Sequence, residues 1–100
     1  MKVDIRTSTR ADKKYMAVFP DGRKVHFGAK GYEDYTTHKD PQRKSNYIAR
    51  HRPTEDWTKT GLYTAGFWSR YLLWNEPTLQ NSGADTARRF GLSIRLINVG

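Results

Sequence analysis

A chain of 100 residues has room for one hydrophobic core and not for two, so residues 1–100 are expected to form a single domain. The sequence has no cysteine, which excludes disulfides, Cys-based zinc sites and thiol nucleophiles and gives no sign of an oxidising compartment. Eighteen Lys and Arg against ten Asp and Glu give a net charge of +8, a balance that attracts polyanions or acidic protein surfaces.

The first six residues, Met1 to Arg6, lack the apolar run of a secretory signal, and no stretch approaches the roughly 20 apolar residues of a membrane span, so a soluble, intracellularly made protein is expected. Lys2 to Arg6 read as a short strand, and the polar residues 7–14 as a flexible loop after it. Two β-rich runs then flank Pro20-Asp21-Gly22: Pro presets φ for a turn, Asp suits the next position and Gly tolerates the left-handed backbone that follows. A hairpin over about 14–27 is predicted. Gly28 and Gly31 break its second strand, and Tyr32 to Tyr35 read as a loop or one short extended stretch.

Asp40-Pro41 opens a helix as N-cap and first helical residue, and Pro53 stops it, giving a helix over about 40–52. Lys44, Tyr47, Ile48 and His51 share its inward arc, with the Lys44 amine expected to snorkel out to water. Trp57 anchors the connector that follows. Thr64 caps a helix to Trp74 that is apolar almost all round and therefore mostly buried. A short helix, 84–90, ends at Gly91, and Leu92 to Ile97 alternate as a strand that could join the hairpin. The predicted fold is α+β: a small antiparallel sheet, from the hairpin and a C-terminal strand at 92–97, against two main helices, 40–52 and 64–74, and the short third helix.

His26, His38 and His51, with Asp34 and Asp40, invite a metal or nuclease reading. No His pair stands one helical turn apart, however, and the carboxylates do not cluster, so no catalytic residue, metal site or cofactor is assigned. His38-Lys39-Asp40 are consecutive, unlike a phospholipase signature, and Gly28 to Gly31 lack the pattern of a phosphate loop. The basic side chains read first as a solvated face and the aromatic strip of the second main helix as core, with partner contact as the functional reading of both. The candidates are Lys39, Arg43, Arg50 and Arg52 around the first main helix, and Trp68, Arg70 and Trp74 on the second. In protein contacts Trp, Tyr and Arg dominate the binding energy. In nucleic-acid contacts the guanidinium groups would sit on phosphates, although no helix-turn-helix or RNP-like motif is present. No small-molecule ligand is expected.

The segments His26-Phe27-Gly28, Gly31-Tyr32-Glu33-Asp34-Tyr35-Thr36, His38-Lys39-Asp40 and Gly66-Phe67-Trp68-Ser69-Arg70-Tyr71-Leu72-Leu73-Trp74-Asn75 resemble a family of small basic proteins of large DNA viruses of algae and protists. The resemblance covers roughly Lys14 to Leu79. It implies a protein made in the host cytoplasm and incorporated into the virion, and carries over no site residues. In that setting a minor capsid component that braces other capsid proteins is the expected role, with viral DNA packaging or condensation as the alternative and a small metal-dependent nuclease as the remote one. The capsid role is preferred because the basic residues are dispersed along a folded sequence and form no Lys/Arg-rich tail.

Overall fold

In the computed structural model, which describes residues 1–99, the Pro20-Asp21-Gly22 turn forms as the sequence predicts. Gly22 adopts φ 90° and donates its N–H to the Phe19 carbonyl at 2.9 Å, and the Asp21 carboxylate accepts the Arg23 N–H. The turn joins β2 (Lys13–Val18) to β3 (Lys24–Ala29) in register from Val18 opposite Lys24 to Lys13 opposite Ala29. The N-terminal strand β1 (Lys2–Thr7) lies antiparallel along the other side of β2, with Ile5 opposite Ala17. The loop between them is shorter than residues 7–14: Thr7 belongs to β1 and Lys13 and Lys14 to β2. A backbone bond from Ser8 to the Lys14 carbonyl closes it, and a Ser8 Oγ–His26 Nδ1 hydrogen bond of 2.7 Å ties it to β3.

The C-terminal strand β4 (Ser93–Leu96) forms, but it does not join the hairpin. It pairs parallel with β1, giving the order β3-β2-β1-β4, so the sheet is mixed rather than antiparallel. β1 takes the free side of β2, which leaves the outer edges of β1 and β3; β4 takes that of β1, and a connection that contains every helix is long enough to return a strand in the parallel sense.

Between β3 and β4 come four helices: α1 (Tyr35–His38), α2 (Pro41–His51), α3 (Ala65–Trp68) and α4 (Leu79–Phe90). Tyr32 to Asp34 form the loop read from the sequence, and the single turn α1 follows it from Tyr35. Asp34 makes it helical, because its side chain accepts the Thr36 N–H while the Thr37 hydroxyl accepts the Asp34 N–H, a reciprocal capping box. Helix α2 starts at its Asp40 cap, and Lys44, Tyr47, Ile48 and His51 are its half-buried residues, as the wheel predicts. The Lys44 amine departs from expectation. It turns inward and donates to the Asn75 carbonyl at 2.5 Å instead of snorkelling to water.

The predicted 64–74 helix is α-helical only over α3 and then widens into a π segment, Ser69–Leu73, with Trp74 N–H bonded to the Ser69 carbonyl. An α-helix would spread these bulky residues around its whole circumference. In the wider turn Phe67, Trp68, Leu72 and Leu73 are essentially buried, together with Val3, Ile5, Ala17 and Phe27 from the sheet. Helix α4 is also longer than predicted, beginning at Leu79 under a Thr78 cap rather than at Ala84. Its first turns look polar, but Ser82, Gly83 and Thr86 belong to the buried face: Thr86 reaches the π segment at the Tyr71 carbonyl, and Gly83 lies against Ile94 and Leu96 of β4. Among the described residues no helix is long and apolar enough to cross a membrane.

Gly61 shows how tightly the connector packs, because a Cβ there would run into the backbone carbonyl of Asp56. Gly61→Ala should cost at least about 3 kcal/mol. Thr86→Val, which removes the hydroxyl that donates to the Tyr71 or Ser82 carbonyl, should cost about 1 kcal/mol. Urea unfolding of the two variants beside the parent protein measures both, and equal losses would contradict the ranking.

Candidate functional site

The main concavity is a cleft of about 540 Å³ between α2 and the end of the π segment. Its floor is Gly28 and Leu73, and its back wall is a row of rings. Trp74 stacks on Tyr47 with centroids 4.3 Å apart and planes 3° from parallel. Tyr47 in turn meets His51 at 4.3 Å, and Trp74 meets His38 at 5.3 Å. The four rings thus join α1, α2 and the π segment, and both inner rings, Tyr47 and Trp74, are packed between neighbours. His38 contributes further by accepting the Asp40 N–H on Nδ1, which leaves the hydrogen on Nε2, a buried atom with no hydrogen-bond partner.

Charges of both signs line the cleft. Inside, Lys14 Nζ lies 2.7 Å from the Asp34 carboxylate, whose side chain is 4% exposed. Such a pair persists at depth because the carboxylate has a further polar partner, the Thr36 N–H on its other oxygen. At the mouth Arg43 bonds Glu33 at 3.4 Å, Arg50 is exposed, and Tyr32 stands 74% exposed.

Of the residues the sequence nominates, the structure brings Arg43, Arg50 and Trp74 together at this cleft. The other four lie elsewhere. Lys39 ends α1 in the left-handed region at φ 55° and donates to the Thr36 carbonyl. Arg52 stands 6.0 Å from the Trp57 ring centroid. Arg70 is half-buried, donates to the Trp74 carbonyl at 2.7 Å and lies over Trp57 and Tyr71; burial holds its pKa below the usual arginine value.

Trp68 must be withdrawn as a partner contact. It is fully buried, and its indole N–H is satisfied by the Leu62 carbonyl at 2.7 Å. The sequence could not separate it from Trp74, since both lie in one apolar run and only the π turn directs them differently. Lys14, Asp34 and Tyr47 were missed as cleft residues. Tyr47 had a signal in its position on the α2 arc, whereas Lys14 and Asp34 meet only through tertiary structure.

Several of the histidines and aspartates that suggested metal chemistry are occupied by local tasks. His26 bonds Ser8, Asp40 caps α2, and Asp34 caps α1. Among the described residues no group of three or more His, Asp or Glu side chains is arranged to hold a metal ion.

Burial of the Tyr47 phenol raises its pKa to about 12, with the negative charge of Glu55 adding to the effect. In the unfolded chain the phenol ionises near 10. Between these values the unfolded state loses its proton first, so the contribution of Tyr47 to stability is intact below pH 10 and lost as pH rises toward 12. Ultraviolet titration should therefore show a tyrosine that resists ionisation until about pH 12, absent in Tyr47→Phe. The alkaline loss of stability should also be shallower in that variant.

Residues 3–51, which run from β1 to the end of α2, match the model of a family described as a family of unknown function, DUF5754. The remaining cleft residues, Ser69, Leu73 and Trp74, lie outside the matched stretch. No curated protein and no solved structure matches the chain.

Proposed function

We propose that the protein is a non-enzymatic structural component of a virus particle, a minor capsid protein that braces neighbouring capsid subunits by receiving a segment of one of them in the α2 cleft. The viral setting rests on the resemblance of the GYEDYT, HKD and GFWSRYLLWN segments to small basic proteins of large DNA viruses.

The lining of the cleft carries the choice of a polypeptide occupant. Arg43 and Arg50 stand with Glu33 and Asp34 on an aromatic wall, a mixture that suits a chain with charges of both signs and apolar side chains. A single-stranded nucleic acid is the poorer fit, because Glu33 and Asp34 already take up Arg43 and Lys14 and leave Arg50 as the cleft cation outside those pairs. Nucleobases also need free ring faces for stacking, and those of Tyr47 and Trp74 are taken by each other, His51 and His38. Arg43 and Arg50 then act at the rim, where charge guides orientation and encounter more than affinity.

Quantitative mass spectrometry of purified particles, before and after gentle disruption that parts shells from released DNA, tests the assignment. The protein is expected at high copy number in particles and should stay with the shell fraction. Co-release with the genome, or absence from particles, overturns it.

A further inference from the structure

All the helices contribute to or stand on one side of the sheet, where Val3, Ile5, Ala17 and Phe27 point into the core. The alternate residues of β1 and β4, with Val18 and Lys24 of the hairpin, form the opposite face; Lys14 and Gly28, of the same alternation, lie instead at the cleft against Asp34 and Leu73. Its charges are unequal. Lys2 and Arg6 of β1, Lys24 of β3 and Arg95 of β4 are exposed cations, and the sole carboxylate among them, Asp4, is held by Arg95 in a two-pronged bond of 3.0 and 3.1 Å.

The acidic residues of the flanking loops are likewise neutralised locally, Asp12 by Arg10 and Asp21 by Arg23. Lys2, Arg6 and Lys24 make no ion pair with any described residue. The Asp4 carboxyl is held below its usual pKa by its bond from Arg95, with the charges of Arg95, Arg6 and Lys2 acting in the same direction.

The spacing of the three unpaired cations is informative. Lys24 is level with Asp4 two strands away, through Val18, while Lys2 and Arg6 are separated by four residues on one strand. With about 3.4 Å per residue and about 4.8 Å between strands, the three form a triangle with sides of roughly 12–14 Å. That is close to the roughly 12 Å width of a DNA major groove, across which phosphate ridges face each other. No Phe, Tyr or Trp projects from this face of the strands, so it has no platform for unstacked bases.

We propose that the open face of the sheet is a docking surface for the phosphate backbone of duplex DNA, through Lys2, Arg6 and Lys24, without sequence readout. This site is separate from the α2 cleft and stands or falls independently of the capsid assignment. A protein with both would hold a protein subunit on its helical side and genome on its sheet side.

Electrophoretic retardation or fluorescence anisotropy with a random-sequence duplex tests it with the full chain. Three phosphate contacts predict a slope of log K against log salt of about −2.7, a loss of about 40-fold in affinity between 50 and 200 mM salt. Lys2→Gln/Lys24→Gln should flatten the slope by about 1.8, and Arg6→Gln alone by about 0.9, while Arg43→Gln/Arg50→Gln in the cleft leaves it unchanged. Circular dichroism checks that each variant remains folded, and the single Arg6 variant serves if the double one does not.

The proposal is overturned if the duplex is not bound at low salt, or if the cleft variant rather than the sheet variants flattens the slope. It is also overturned if poly-L-glutamate binds to this face in preference to DNA, which would make the partner an acidic protein surface.

Discussion

The widened turn at Ser69–Leu73 is the constraint around which the helical half of the molecule is arranged. Leaving α-helical geometry turns a compact run of aromatic and leucine side chains toward the core, but it also leaves backbone carbonyls at the end of the segment without helical partners. Buried acceptors of that kind are costly unless satisfied. Here each is met by a side chain. The Tyr71 carbonyl accepts from Thr86 of α4 and from Asn75, the Trp74 carbonyl from Arg70, and the Asn75 carbonyl from Lys44 of α2. Asn75 is itself held by Asp85. The same few carbonyls therefore position α2 and α4, and a feature that looks like a helix defect is where the helices are joined.

This arrangement accounts for the cleft. Helix α2 has no fully buried residue; it is held at points, by the Lys44 amine on Asn75 and by Tyr47 on Trp74, rather than along a packed face. Space remains beneath it because those contacts lie at the end of the π segment, while Gly28 keeps the floor open. Gly28 adopts φ 80°, and a side chain there would meet Leu73 and the stem of Lys14. The Lys14–Asp34 pair at the inner end couples the sheet to the cap of α1, so all the elements around the cleft are tied by polar contacts specific in geometry.

What could be read from the sequence was what local chemistry decides. The Pro20-Asp21-Gly22 turn, the Asp40-Pro41 start of α2 with its inward arc and the Gly91 stop are each settled within a few residues, and the Trp57 anchor is legible from residue type. Trp57 indeed donates to the Gly66 carbonyl and accepts from the Tyr71 hydroxyl. What could not be read depends on distant partners. The neighbour of β4 follows from where α4, which packs on it, returns the chain, and the early start of α4 from Ser82 and Gly83 being close-packing residues rather than loop residues. The inward turn of Lys44 follows from a carbonyl that only the π geometry exposes. The two tryptophans of the apolar run show the limit of periodicity most clearly: Trp68 lies fully in the core, while Trp74, six residues later, reaches the cleft.

The distribution of charge separates structural from unassigned cations. Most carboxylate pairs in the fold use arginine: Asp4 with Arg95, Asp12 with Arg10, Asp21 with Arg23, Glu33 with Arg43, and Asp85 with Arg88 and Arg89. The planar guanidinium suits such fixed geometry, whereas a lysine amine on a flexible stem is better suited to a diffuse partner. Lys2, Lys13, Lys24, Lys30 and Lys59 take part in no ion pair among the described residues. Removing their charge would leave every ion pair in the fold intact and would relieve mutual repulsion. Most of the excess of +8 is thus carried by side chains that stand outside the ion pairs of the described residues.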